Sequence, residues 1–489
     1  MAPAANLSRA ALSGVLWQGL SYLFGKGATL LATILLARLL TPSEFGVVGL
    51  ALVFITFAET AADLGVAQAL VYLPRSRRTA DAALGLSLLT SGALAGAGVV
   101  AAPLAADFFN RPEVAPMLTV LSLSLLLVAL KQVPDALLRK DLKFRRRGAS
   151  EAARAVSQGA VSVALALAGF GPWAIVWGYV AGNSIWVLAS WLLVDYRPSR
   201  QVLRVHLPTL RPIAAYGAPA AGQALLSSLI FDIDYVIVGR LLGPEALGHY
   251  TLAFRLPQML IINVFFVLSA VAFPVFSQAR GDPVRMRRGY LKSVRLQSTY
   301  GVGAGVGLAV IAPVLVPILF GPKWEASIVP LQALGLYATF RALSVGAVDV
   351  YKAMGRPGVA LTVSILRFVV LVPTLIVAAS FGINGVAIAQ AGLALLLALL
   401  MQGVACRFVG LPYRSLIAGL RPAGALGAGV LLGAGTVVLW LPGPPGLRLA
   451  AAVAAGAVCG LSALLAADRG FVREVIALLS RRQGSPSPA

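Results

Sequence analysis

Long apolar runs without a single charge constrain this chain more than any other feature. "GVGAGVGLAVIAPVLVPILF" (301–320) and "GINGVAIAQAGLALLLALLMQGVAC" (382–406) are two of them. At 1.5 Å per residue, twenty helical residues cross a hydrocarbon core of roughly 30 Å. A soluble domain of this size needs more charge than the 12 % present beside 59 % hydrophobic residues and a mean hydropathy of +0.86. Runs of this length point to helices, since strands of a barrel need about ten residues each. The sequence therefore predicts an all-α polytopic membrane protein.

Fourteen spans are expected, at about 14–37, 46–73, 82–106, 115–138, 149–169, 173–194, 213–240, 246–275, 292–320, 326–351, 359–380, 384–406, 417–441 and 447–467. The first has no small-residue cleavage site after a short apolar core, so it reads as a retained span. The net charge of +22 could suggest nucleic-acid binding, but its placement argues otherwise. Basic residues crowd every second loop: Arg75, Arg77 and Arg78; Arg139, Lys140, Lys143 and Arg145 to Arg147; Arg197, Arg200, Arg204 and Arg211; Arg280, Arg285, Arg287, Arg288, Lys292 and Arg295. Lys352 with Arg356, then Arg407, Arg414 and Arg421, then Arg469, Arg473, Arg481 and Arg482 continue the pattern. The intervening corners carry about one basic residue each. The positive-inside rule puts both termini and the basic loops in the cytoplasm, and no nucleic-acid partner is expected. Cys406 and Cys459 stand in apolar surroundings at no ligand spacing, and His206 and His249 fall on opposite sides, so no metal site is expected.

One corner occurs twice. "ARLLTPSEFGVVGLA" (37–51) and "GRLLGPEALGHYTLA" (239–253) share seven of fifteen positions: Arg38/Arg240, Leu39/Leu241, Leu40/Leu242, Pro42/Pro244, Gly46/Gly248, Leu50/Leu252 and Ala51/Ala253. A weaker echo links "FGPWAIVWGYVAG" (170–182) to "FGINGVAIAQAG" (381–392). Six spans separate the copies, so both halves face the same way, a plan that transporters use with the substrate site near mid-membrane. The expected organisation is a six-helix lobe over 1–198, a second over 199–410, two extra transmembrane helices over 411–470 and a cytoplasmic tail over 471–489.

The second corner, "RLLGPEALGHYTLAFRL" preceded by Asp234 in "DYVIVG", resembles the seventh-to-eighth helix signature of polysaccharide flippases. These belong to the superfamily joining multidrug, oligosaccharidyl-lipid and polysaccharide exporters. "LTPSEFG", "ADLGVAQALVYLP" and "ALLRKDLKFRRR" resemble more narrowly its colanic-acid and teichuronic-acid exporter branch. The resemblance implies a bundle of 12–14 helices in a bacterial inner membrane. It would move undecaprenyl-diphosphate-linked oligosaccharide to the outer leaflet by alternating access, next to glycan assembly enzymes and membrane lipids. No outer corner is long enough for soluble catalytic bulk, so a transporter and not an enzyme is expected, with no cofactor beyond a coupling H⁺ or Na⁺. A membrane polymerase or glycosyltransferase, and an exporter of drug-like cations, are the alternatives.

Ionisable residues inside spans are costly and so are functional candidates. Lys131, Arg154, Arg341 and Arg367 are the expected substrate-binding cations, suited to a diphosphate. Arg341 and Arg367 show no partner nearby in sequence, whereas Lys131 could pair with Asp135 and Arg154 with Glu151. Asp234 and Arg255, equally far from the second corner, are an expected structural ion pair. Glu59 and Asp63, one turn apart beside Thr56 and Thr60, are the candidate ion-coupling pair, with Asp232 and Asp349 as weaker candidates. The glycine run "GVGAGVG" follows no strand and reads as helix packing instead of a phosphate loop, as does "GALAG" at 92–96. The stretch "RKDLKFRRR" reads as attraction to anionic headgroups.

Overall fold

The computed structural model describes residues 24–199, 202, 207–279 and 281–480. The start of the first expected span, and Arg200, Arg204, His206, Arg280, Arg481 and Arg482, lie outside these. Among the described residues there is no strand. The helices are α1 (24–39), α2 (Pro42–Asp63), α3 (Val66–Tyr72), α4 (Arg77–Phe109), α5 (Val114–Leu123), α6 (Leu125–Lys140), α7 (Phe144–Leu167), α8 (Trp173–Leu193) and α9 (Leu207–Leu241). After them come α10 (Gly243–Pro257), a π-turn (Gln258–Ile262), α11 (Asn263–Gln278), α12 (Pro283–Phe320), a 3₁₀ turn (Pro322–Ser327) and α13 (Ile328–Ala353). The chain ends with α14 (Pro357–Ala379), α15 (Gly382–Val409), α16 (Tyr413–Trp440), α17 (Pro445–Ala467) and α18 (Arg469–Ser480). Every expected span from the second onward coincides with one of these helices or with consecutive ones. Ten helices or helix pairs among the described residues are long and apolar enough to cross a bilayer, and the protein is a multi-pass membrane protein. Its helices gather into two compact units, Met1–Gly248 and His249–Ala489.

In the first unit the quoted motifs resolve into caps and breaks. "LTPSEFG" is a capping box. The Glu44 amide donates to Thr41 Oγ1 at 3.3 Å, the Thr41 amide donates to Glu44 Oε2 at 2.7 Å, and Pro42 opens the helix. "ADLG" ends α2: Leu64 and Gly65 turn left-handed at φ 42° and 69°, and Asp63 Oδ1 accepts from the Ala67 amide at 3.3 Å to start α3. The Gly217 backbone of α9 lies so close to Gly65 that a Cβ there would stand 2.5 Å from its Cα.

The repeated corner turns out to pack on its own copy. A Cβ on Gly46 would stand 2.9 Å from Pro244 Cα and nearer still to its carbonyl, while one on Gly248 would stand 2.8 Å from the Pro42 carbonyl carbon. Glycine of each copy therefore receives proline of the other, a reciprocal contact made by residues the two copies share. With α9 also lying along α2, α3 and α4, the first unit extends past residue 198 to the second corner.

In the second unit the glycine run on α12 is a packing surface on two sides. Gly301 and Gly305 meet α13, where Thr339 Oγ1 donates to the Gly301 carbonyl at 2.7 Å, and Gly303 and Gly307 meet Leu426 and Val430 of α16. At "GALAG" the packing is slight: Gly92 meets Leu126 Cδ2 of α6 at 4.0 Å and Gly96 meets nothing within 4 Å, while the close contact of α4 with α5 comes at Gly98 against Ser122. The expected tail begins within α18, which packs Phe471 and Val472 by Leu464 and pairs Glu474 with Lys292 of α12, while Asp468 just before it pairs with Arg295.

Candidate functional site

Two glycines of the "FGPWAIVWGYVAG" motif set up the site. Gly178 and Gly182, four apart on α8, let α7 approach so closely that a Cβ at 182 would stand 2.7 Å from Gln158 Cβ and 3.2 Å from the Arg154 carbonyl. One turn beyond Gly182 on the same face is Trp186, and the Arg154 guanidinium lies over its ring, 4.9 Å from the centroid. Lys131 of α6 reaches the same ring, its Nζ 3.9 Å from the centroid. Two cations thus share one indole. Counted along α6, Lys131 sits about 14 Å inside the end at Lys140, well within the apolar layer.

The partners suggested by spacing are taken by others. Asp135 accepts from Arg139 at 2.7 Å and from Arg147 at 2.8 Å, and Glu151 lies 3.8 Å from Arg147. Arginines nearer the helix ends reach those carboxylates first, which leaves Lys131 and Arg154 to the tryptophan. Glu59 of α2 is within electrostatic reach of Lys131 and accepts a hydrogen bond from the Tyr179 hydroxyl. Among the described residues, neither side-chain amide atom of Asn183, which is fully buried one turn before Trp186, has a hydrogen-bond partner, and the buried Arg154 Nε and Trp186 Nε1 find no acceptor. Buried polar atoms are nearly always satisfied, and four unsatisfied ones gather here.

Glu59 and Asp63 share a helix face but not a partner. Asp63 closes the α2–α3 break and accepts from Gln132 Nε2 at 2.8 Å, whereas Glu59 belongs to the cation cluster through Tyr179. Asp234 is buried at 2 % exposure and Arg255 is exposed. In the second unit Arg367 Nη2 donates to the Tyr337 hydroxyl at 3.1 Å. Arg341 follows one turn after Tyr337 on α13 and is also not without a partner, so neither arginine stands alone as spacing suggested. Asp232 accepts from Ser228 at 3.0 Å, and Asp349 lies 2.9 and 2.7 Å from the Ser269 hydroxyl. His249 is structural, 3.1 Å from Ser327 Oγ and edge-on to Trp324, and Cys406 is buried while Cys459 is exposed. Among the described residues no three metal-ligating side chains converge.

Trp186, Tyr179 and Asn183 escaped the sequence reading because they carry no charge. A signal was available: Tyr179, Asn183, Trp186 and Ser190 fall at i, i+4, i+7 and i+11, a polar stripe on one face of an apolar span. The basic stretch "RKDLKFRRR" also reads differently in three dimensions. Lys140 Nζ donates to the Leu70 carbonyl at 2.8 Å, Arg75 pairs with Asp141 at 2.7 Å, and Lys143 donates to Asp195, so much of it ties helix ends together.

The comparisons agree with this architecture. The chain is 24 % identical over 381 residues to the lipopolysaccharide biosynthesis protein WzxC of Escherichia coli, covering 76 % of each chain. It is 26 % identical over 349 residues to the succinoglycan biosynthesis transport protein ExoT of Rhizobium meliloti, covering 70 % of this chain and 68 % of that one. Among solved structures it superposes on the lipid II flippase MurJ in an inward closed conformation with a TM-score of 0.74 at 14 % identity, over 94 % of this chain and all of that one. That likeness establishes the fold. A family model described as polysaccharide biosynthesis protein matches residues 35–329, which takes in the corner, its copy and every residue of the cation cluster; the chain belongs to that family.

Proposed function

We propose that this protein is a flippase that moves a diphosphate-linked oligosaccharide lipid across a bacterial inner membrane, with Lys131 and Arg154 holding the diphosphate. The observation that carries the reading is the convergence of two half-buried cations on the Trp186 ring, with the Arg154 Nε, Trp186 Nε1 and Asn183 side-chain atoms beside them unsatisfied among the described residues. Phosphate oxygens fit such a set, because charge-assisted hydrogen bonds to guanidinium are the strong ones. Arg341 and Arg367 are proposed as further substrate-binding cations. A drug-cation exporter would need the reverse charge in its site. The relatives' names speak of polysaccharide biosynthesis and transport, and a lipid-linked sugar is the form in which such a polymer unit meets a membrane.

The test is flipping of a fluorescent polyprenyl-diphosphate sugar in proteoliposomes, with Arg154→Gln and Lys131→Gln each expected to reduce it. Flipping at the wild-type rate in both variants rejects the assignment.

Glu59 and Asp63 are proposed as the ion-coupling groups for H⁺ or Na⁺. Glu59→Gln should weaken the dependence of flipping on the ion gradient, since Glu59 is the acid beside the cations. Asp63→Asn should do so less and cost stability instead, because Asp63 also caps α3 and binds Gln132. Wild-type gradient dependence in both variants would move coupling elsewhere.

Both termini and the basic loops are proposed to face the cytoplasm. Single cysteines near Arg146 and Arg287, in a variant lacking Cys406 and Cys459, should resist an impermeant thiol reagent outside intact cells. Ready labelling at either place overturns the orientation.

A further inference from the structure

The first unit holds a second basic site, apart from the Trp186 cluster. Where α3 ends, α4 begins and the chain leaves α8, Arg75, Arg77 and Arg197 open onto a cavity of about 290 Å³. Ala80, Leu137 and Tyr196 give it an apolar lining. The wall is firmly held. Asp81, 6 % exposed on the first turn but one of α4, accepts from the Tyr196 hydroxyl, from Ser199 Oγ at 2.6 Å and from the Ser199 amide at 3.3 Å, which straps residues 196–199 to α4. The Trp191 and Tyr196 rings add a contact at 5.8 Å.

The charges are unevenly matched. Asp195 lies on the rim, but Lys143 donates to it, Arg146 stands 3.6 Å away, and the Lys143 ammonium holds its carboxyl below the usual carboxylate range. Arg75 is paired with Asp141 at 2.7 Å. Arg197 donates only to the Trp191 and Tyr196 carbonyls, at 3.3 and 3.2 Å, and Arg77 has no carboxylate partner among the described residues. Arg77 and Arg78 also begin the 33-residue α4, whose first turn has no acid and whose N-cap Ser76 makes no side-chain cap. Cations at the positive end of a helix are unfavourable alone, and an anion seated there reverses the sign.

We propose that this cavity binds the phosphate head of a membrane lipid, with Arg77 and Arg197 as the principal ligands. Guanidinium groups on the rim take the phosphate oxygens, and the apolar lining takes the carbons next to them. Two molecules carry that chemistry: an anionic phospholipid of the bilayer, and the diphosphate lipid of the proposed substrate. Only the second source rests on the flippase reading.

The experiment measures binding of short-chain phosphatidylglycerol and of farnesyl diphosphate to the full-length protein in a non-ionic detergent. At least one probe should bind, and Arg77→Gln with Arg197→Gln together should weaken it at least tenfold without lowering the unfolding temperature. Arg77→Gln alone, at an exposed residue without an acidic partner, should weaken it severalfold and serves if the double variant folds poorly. Loss confined to phosphatidylglycerol assigns the site to bilayer lipid, and loss that includes farnesyl diphosphate assigns it to the substrate's head group. Because Arg154 is itself proposed to hold a diphosphate, binding of farnesyl diphosphate is measured in an Arg154→Gln background, and binding of phosphatidylglycerol in the otherwise unaltered protein. Failure of both probes to bind, or binding of both unchanged by the Arg77 and Arg197 variants, overturns the site.

Discussion

Gly46→Ala is expected to destabilise this protein severely, and Gly248→Ala equally so. The added methyl in each case is a Cβ aimed at the backbone of the opposing corner, at Pro244 for Gly46 and at Pro42 for Gly248. Backbone cannot rotate away as a side chain can, and both obstacles are prolines with fixed φ at the start of a helix. Overpacking of a well-packed contact costs about 1–3 kcal/mol and occasionally more, and these contacts are at the unfavourable extreme. That loss is a large part of a net stability of roughly 5–15 kcal/mol. Since the clash begins at Cβ, valine should be only moderately worse than alanine. Gly96→Ala provides the contrast, because its Cβ would meet nothing within 4 Å, and a helix-interior glycine costs about 0.8–1 kcal/mol relative to alanine. It should be neutral or stabilising. Thermal unfolding of the three variants in one detergent decides the matter: a wild-type transition for Gly46→Ala means that the corners do not pack on each other.

The corner also shows what a sequence of this kind reveals and what it withholds. Apolar runs set the helices because length and hydropathy are local properties, and so is the capping box in "LTPSEFG", where Thr41 and Glu44 are three residues apart. The repeat was equally visible, but its meaning was not. Nothing local to Gly46 says that its neighbour is Pro244, almost two hundred residues on. Side-chain pairing failed for a related reason. Spacing on one helix offered Asp135 to Lys131 and Glu151 to Arg154, and in three dimensions Arg139 and Arg147 outcompete both. Arg139 and Arg147 lie nearer the helix ends and reach those carboxylates first. The displaced cations then find an aromatic face contributed by a third helix. Charge drew attention to Lys131, Arg154 and Glu59, while the uncharged residues that organise them, Trp186, Tyr179 and Asn183, were legible only as a polar stripe along α8.

Arg154→Gln is the substitution with the largest expected effect on function. Its guanidinium lies over Trp186 beside a second cation, with Nε unsatisfied. Removing it eliminates a like-charge neighbour of Lys131 and an insertion cost, so folding should survive with an unchanged or raised unfolding temperature. If the guanidinium binds the diphosphate, the loss should be about 1.5–3 kcal/mol, the scale of a hydrogen bond to a charged group, or roughly ten- to a hundredfold in flipping of a polyprenyl-diphosphate sugar. Arg154→Lys should recover part of the activity, because it restores the charge but not the planar fork. Trp186→Phe tests the platform itself. A benzene ring holds cations less well than indole but still offers a face, so the variant should lie between wild type and Trp186→Leu. In Trp186→Leu the two cations lose their common support and repel, and flipping should fall with both arginine and lysine still present. A purely structural cluster gives the opposite pattern: Arg154→Gln would then lower the unfolding temperature while leaving the flipping rate per folded molecule intact.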